Sequence, residues 1–273
     1  MSMKVGGPAK KFYEPENEME AAELFGQLSS SAEPFYIIGN GSNIIVRDEG
    51  FAGSIIHIRE NLSGIEASGN VIRAQAGATL REVSEAALER SLQGFEFASG
   101  IPGSVGGACC MNAGAYGGEI KDIVRSVTAA DRAGNILVIS GEAADFSYRH
   151  SLFSSGKYLV LAAEFELEEG DEAGIRARME DLSRQRREKQ PLDYPSCGST
   201  FKRPEGYFAG KLIMDSGLKG ARVGGASVSE KHCGFVVNDR EGTAEDVLAL
   251  IELVKKTVLE KQGVALECEV KIL

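Results

Sequence analysis

Residues 98–118 read ASGIPGSVGGACCMNAGAYGG, a stretch with almost no bulky or charged side chain. A backbone bared in this way can be approached closely. Successive amides in a turn form a concave anion site, and glycine supplies both the unusual dihedrals and the room. A flexible linker is the plainer alternative. Yet Ile101, Pro102, Val105, Met111 and Tyr116 recur at intervals that ask for a packed, fixed loop. The stretch is therefore read as a loop wrapped around a phosphate-bearing cofactor, and the remaining chain as the scaffold that holds it.

The chain has 273 residues, enough for two domains or for one with a large insertion. Its formal net charge of -10 leaves no global positive field for nucleic acid or an anionic membrane, so a phosphate must be caught locally. No apolar run approaches the length of a membrane span, and the N-terminus lacks a charged segment followed by a hydrophobic one. A cytoplasmic protein is expected. Five cysteines (Cys109, Cys110, Cys197, Cys233, Cys268) make an odd count without CxxC spacing or a histidine partner, which argues against a disulfide framework and against a metal site. They read as small buried hydrophobes, with Cys197 standing apart in a polar loop.

In chain order, a Gly6-Gly7-Pro8 turn joins two short extended pieces, and Met19, Ala22, Leu24, Phe25 and Leu28 predict an amphipathic helix over about 17–28. A strand at 35–38 runs into GNGSN at 39–43 and then Ile44-Ile45-Val46. That order suits phosphate binding, but Ile44 stands where a dinucleotide fingerprint needs its third glycine, so the Rossmann reading fails and a plain tight turn stays open. Strands are expected at 53–58 and 71–76 around a polar loop at 61–70. Thr79 with Glu82 is a capping box opening a helix whose buried stripe is Leu80, Val83, Ala87 and Leu88. Segments 124–129 and 136–140 predict a hairpin, 158–167 a strand, and 172–189 a charged helix stopped by Pro191. The change in texture places a domain boundary near 170. Beyond it come a hydroxyl- and glycine-rich loop at 194–204, a final helix started by Thr243 and Asp246, and a terminal strand at 264–272 that carries Glu267 and Glu269 on one side.

Three polar residues stand out as candidates for chemistry: Arg149, Ser199 and Glu269. Taken singly each has a structural alternative, as a surface cation, a turn residue and a strand-face carboxylate. No GxSxG elbow is present, so a serine hydrolase is unattractive, and His57 and His232 read as structural.

GNGSN at 39–43, GIPGSVGG at 100–107, MNAGAYGGEI at 111–120, SYRHS at 147–151, YPSCGSTFKRP at 194–204 and LECEV at 266–270 together resemble the bacterial UDP-N-acetylenolpyruvoylglucosamine reductase (UDP-N-acetylmuramate dehydrogenase) family, over essentially the whole chain. Six segments in the right order are far more specific than any one of them. The resemblance implies an α+β protein: a vanillyl-alcohol-oxidase type (PCMH-like) FAD-binding domain over 1–170, made of two α+β subdomains. A smaller α+β substrate-binding domain would follow over 171–273, with its C-terminal strand contributing to the active site. It implies non-covalent FAD along Gly39, Asn40, Gly41, Ser42 and Asn43, along Gly100, Ile101, Pro102, Gly103, Ser104, Gly106 and Gly107, and at Asn112, Ala113 and Gly114. It also implies Ser199 as proton donor, with Arg149 and Glu269 holding and polarising the enolpyruvyl carboxylate.

The expected reaction is NADPH-dependent reduction of UDP-N-acetylglucosamine enolpyruvate in peptidoglycan precursor synthesis, and with it a role in cell wall biogenesis, cell shape and division. Tyr148, Lys189 and Lys202 are further substrate-binding candidates, Lys189 for the diphosphate. Members carry a leading segment before the Met3–Gly7 pattern, so this chain starts short of them, which bears on stability more than chemistry. It also lacks the tyrosine-bearing insertion of one branch, and so resembles the other. Two alternatives remain: a different FAD oxidoreductase of the same fold, whose flavin is often attached through histidine or cysteine, and a nucleotide-sugar binding protein without catalysis. A monomer is favoured, and the choice between NADPH and NADH is left open.

Overall fold

The computed structural model describes all 273 residues. They form two compact units, a larger one from 11–40 with 53–185 and a smaller one from 1–10, 41–52 and 186–273.

In the larger unit, helix α1 (Glu18–Ser29) starts where Asn17 accepts a hydrogen bond from the Glu20 amide at 2.9 Å, and it buries Ala21, Ala22, Phe25 and Leu28. Its apolar face meets an antiparallel five-stranded sheet in the order Ile136–Ser140, Val124–Asp131, Tyr158–Glu166, Val71–Gln75, Ile65–Ser68. The register sets Val127 opposite Ile139 on one side and Ala163 on the other, and Ala163 opposite Ala74. Central position explains the continuous apolar run of Tyr158–Glu166, which is covered on both faces. Its small residues Ala162 and Ala163 also let helix neighbours come close.

Helix α2 (Leu80–Glu89) opens with the anticipated reciprocal cap: the Thr79 amide donates to Glu82 at 2.8 Å, and the Glu82 amide donates to the Thr79 hydroxyl at 3.2 Å. The glycine-rich run contains a helix that its composition hid, α3 (Val105–Met111), packed on the central strand, and a small hairpin of Gly114–Ala115 and Gly118–Glu119. A further difference lies at 61–70, where Ile65–Ser68 is a strand and not loop, because its backbone pairs with Val71–Gln75. Helix α4 (Glu172–Lys189) spans the residues its pattern predicts.

The smaller unit holds a three-stranded antiparallel sheet, Arg222–Val223, Ala226–Val228 and Val236–Asn238, with helices α5 (Ala209–Asp215) and α6 (Ala244–Gln262). Val247, Leu250, Ile251, Val254 and Val258 of α6 are buried with Met3, Ile45 and Ile213 in one core. The terminal strand is shorter than expected, only Lys271–Ile272, since 264–270 has no continuous partner. Phe201 bridges Cys268 in antiparallel fashion, then Ile44–Ile45 pairs with Lys271–Ile272 in parallel. That parallel pair, and the burial of Met3 and Val5, explain why 1–10 and 41–52 belong to this unit, which a linear division at 170 does not capture. The border itself falls inside α4. No helix is long and apolar enough to cross a membrane.

The sheet edge of the smaller unit carries a half-buried ion pair in which Arg222 donates twice to Asp239, at 2.7 and 2.8 Å, with the Ser227 hydroxyl adding a third bond at 3.1 Å. The guanidinium holds the Asp239 carboxyl below its ordinary value of 3.8. A carboxyl depressed in the folded state contributes stability that is complete above its unfolded pKa and is lost as pH falls through the folded one. Urea midpoints measured from pH 6 down to pH 2 should therefore decline less steeply for Asp239→Asn than for the wild type below about pH 4. Parallel acid limbs would contradict this.

Candidate active site

The glycine loop of the larger unit is anchored at 103–106 by backbone hydrogen bonds. The Val105 amide donates to the Ala78 carbonyl at 2.9 Å, Gly106 to Ala76 at 2.8 Å, and Leu80 to Gly103 at 3.1 Å. This pairing brings Gly106 so near Ala76 that a Cβ there would lie 3.0 Å from the alanine methyl. The N-terminal amides of α3 are thus partly consumed by the scaffold. Those of Asn40 and Ser104 are not, for they donate to no carbonyl of the chain.

Asn40 borders a pocket of about 230 Å³ that is also lined by Thr79, Arg81, Ser99, Gly100, Ile101, Pro102 and Gly103. The Asn40 side chain donates to the Pro102 carbonyl at 2.7 Å, which brings two of the sequence-identified segments together. Beside them Ser104 is 1% exposed, and its hydroxyl has no hydrogen-bond partner and does not cap α3. A buried hydroxyl left unpaired costs free energy unless something supplies its bond. Gly39 faces it so closely that a Cβ would sit 2.2 Å from the Ser104 oxygen. Unspent amides, an unpaired hydroxyl and the cation Arg81 form a donor set suited to the acceptor-rich diphosphate of a dinucleotide cofactor, so these residues fit FAD. Arg81 escaped notice in the sequence, and Thr79 was read there only as a helix cap. The only signal is a cation set within the Thr79–Glu82 capping box.

The same unit positions Arg149. Ser147 and His150 exchange backbone hydrogen bonds of 3.0 and 3.1 Å, closing a tight turn with Arg149 at φ 53. The guanidinium donates to the carbonyls of Asn112 at 3.4 Å and Gly114 at 3.1 Å and lies 5.1 Å over the ring of exposed Tyr148. The side chain of Asn112, expected along the cofactor, is fully buried and hydrogen-bonded to Ser147, Glu119 and Lys121.

In the smaller unit, residues 195–202 are threaded between two backbone partners. Thr200 donates its amide to Gly234 at 2.9 Å and accepts the Glu269 amide at 2.9 Å, and its hydroxyl accepts from Val236 at 3.1 Å. Exposed Ser199 follows Gly198, whose φ is +73, and so sits one residue from the Thr200–Glu269 junction. Asn43 donates from its side chain to the Glu269 carbonyl at 3.2 Å and accepts the Lys271 amide at 3.0 Å. Gly41, at φ 61, accepts from the Ser2 amide. Ser199 and Glu269 are thereby brought near one another. The ammonium of Lys202, a substrate-binding candidate, is paired with Glu267. Lys189 is exposed at the end of α4.

A family model described as the UDP-N-acetylenolpyruvoylglucosamine reductase C-terminal domain matches residues 190–273, and one described as an FAD binding domain matches 9–140. The UDP-N-acetylenolpyruvoylglucosamine reductase of Clostridioides difficile (strain 630) is 50% identical over 273 residues, covering 100% of this chain and 90% of that protein. The chain belongs to the UDP-N-acetylenolpyruvoylglucosamine reductase family. The protein of that name from Geobacillus kaustophilus (strain HTA426) is likewise 50% identical, over 99% of this chain and 89% of its own. The crystal structure of the reductase from Thermus caldophilus matches with a TM-score of 0.86 at 34% identity, covering 100% of this chain and 95% of that one.

The FAD-binding match contains the pocket, and the reductase's own C-terminal domain contains Ser199 and Glu269. Burial pushes the Cys109 and Cys110 thiols up, Cys110 to about 12, so neither is a thiolate near neutral pH. Gly39→Ala should lower FAD retention through purification, because the added methyl collides with the Ser104 hydroxyl. The double variant Gly39→Ala/Ser104→Ala, which removes that oxygen and leaves the next atom 3.5 Å away, should retain FAD no worse than Ser104→Ala alone, since the collision is gone and only the hydroxyl's own bond is lost. Flavin absorbance per protein decides the matter, and full retention in Gly39→Ala would contradict the close approach.

Proposed function

We propose that this reductase converts UDP-N-acetylglucosamine enolpyruvate to UDP-N-acetylmuramate with NADPH, the reduction that commits the nucleotide sugar to peptidoglycan. The observation that carries the reading is the presence in one chain of an FAD-binding domain and this reductase's own C-terminal domain, the part that separates it from other flavoproteins. FAD, when bound, would supply the redox chemistry, the transfer of a hydride equivalent from NADPH to the enolpyruvyl methylene carbon.

The chain's own residues do the rest. Hydride addition leaves negative charge on the carboxylate side of the substrate, where the Arg149 guanidinium stabilises it. The carbonyls of Asn112 and Gly114 accept from that guanidinium and orient it. Glu269 helps hold and polarise the same carboxylate. Ser199, exposed on a glycine-hinged turn, gives its proton to the adjacent carbon and completes the reduction. Asn40, Ser104 and the 100–103 backbone would hold the cofactor, together with Gly41, Ser42 and Asn43, and Ala113, Gly114 and Gly107. Tyr148, Lys189 and Lys202 would receive the nucleotide sugar, Lys202 after giving up Glu267. Because the substrate and NADPH are anionic metabolites of the cell interior, the reading places the enzyme in the cytoplasm, in service of wall synthesis, cell shape and division. It requires no second copy of the chain.

The test is an anaerobic visible spectrum taken before NADPH, after NADPH, and after the enolpyruvyl nucleotide sugar. The flavin band should bleach and then recover only with that sugar. Bleaching without recovery would favour another oxidoreductase of the same fold. Ser199→Ala should still bleach, while recovery slows by about 10²–10⁴-fold, the usual worth of a positioned general acid. Unchanged recovery would remove Ser199 from the mechanism.

A further inference from the structure

Asn112 ends α3 in the left-handed conformation, at φ 44, with its side chain 0% exposed. Its amide nitrogen donates to the Ser147 carbonyl at 3.0 Å and to Glu119 at 3.0 Å, and its amide oxygen accepts from the Lys121 backbone at 3.0 Å. Both donors are therefore spent within the protein. Its main-chain carbonyl in turn accepts from the Arg149 guanidinium. One residue thus grips the Arg149 turn at two points, the backbone where the turn begins and the side chain it presents.

That turn needs gripping. Arg149 is itself left-handed at φ 53, a conformation unfavourable for an L-residue that persists only where the surroundings impose it. The Ser147–His150 bonds close the turn, and the Ser151 hydroxyl ties its far end to the Cys110 carbonyl at 2.9 Å. Cys110 and Asn112 both belong to the end of α3, so the conformation of the arginine is written by the helix that follows the glycine loop.

We propose that Asn112 is a positioning residue that sets the Arg149 guanidinium for the substrate carboxylate, and that it does not bind the cofactor through its side chain. The inference rests on the reading of Arg149 given above. Asn112→Asp keeps an acceptor for Lys121 but replaces both donors, facing the Ser147 carbonyl and Glu119 with oxygen. Adding Glu119→Gln reverses the second contact, since the glutamine amide can donate to the carboxylate introduced at position 112 while Ser147 stays without a donor. Asn112→Gly keeps the left-handed backbone and removes all three side-chain bonds.

The readouts, on the FAD-loaded full chain, are the thermal midpoint, the rate of flavin bleaching by NADPH, and the rate and half-saturation of recovery with the enolpyruvyl sugar. In the double variant the midpoint should return toward wild type and bleaching stay within about twofold, while recovery remains more than about tenfold slow with a raised half-saturation. Asn112→Gly should show the same split between the two half-reactions. Wild-type recovery in the double variant, or equal slowing of both half-reactions in Asn112→Gly, overturns the proposal. Failure of the wild type itself to recover with the sugar would instead overturn the functional reading on which it rests.

Discussion

The backbone pairing of residues 76–80 with residues 103–106 is the constraint on which the cofactor half of this protein depends. Three main-chain hydrogen bonds, from Val105, Gly106 and Leu80, bring a segment of little intrinsic structure onto the end of the Val71–Gln75 strand and the start of α2. Glycine at 106 is what allows the two backbones to close upon each other. Because fixing a flexible residue costs about 1–2 kcal/mol of backbone entropy, a loop so rich in glycine is ordered only by bonds and packing from outside itself.

This pairing also divides the loop's amides by purpose. Those of Val105 and Gly106 are consumed in anchoring, while the amide of Ser104 just before them, its unpaired hydroxyl, and the amide of Asn40 remain for a ligand. The end of α3 then carries the same order outward, through Asn112, to the turn that presents Arg149. In the smaller unit an analogous economy holds, with Thr200 tied on both sides so that neighbouring Ser199 is left exposed in a fixed frame.

Local signals carried much of this to a reader of the sequence. The Thr79–Glu82 and Thr243–Asp246 caps and the charged helix ending before Pro191 depend on neighbours in the chain, and each stands as its pattern implies. Helix α3 does not, because two glycines depress its intrinsic propensity and only the carbonyls of Ala76 and Ala78 specify its start. The brevity of the terminal strand and the passage of 1–10 and 41–52 into the smaller unit likewise follow from partners remote in sequence, above all Ile44–Ile45 beside Lys271–Ile272. Candidate site residues were legible as motifs, but their duties were not. Lys202 is engaged by Glu267, and Asn112 by Ser147, Glu119 and Lys121, and neither commitment can be read from the residue or its spacing.

Amide hydrogen exchange resolved to single residues, with and without FAD, tests the preformed loop most directly. The account predicts that Val105 and Gly106 are protected in both states, since their bonds to Ala78 and Ala76 belong to the fold, while Ser104 and Asn40 exchange freely without FAD and gain protection with it. If Val105 and Gly106 exchanged as freely as Ser104 in the absence of FAD and slowed only on its addition, the loop would be organised by the cofactor and the account would be wrong.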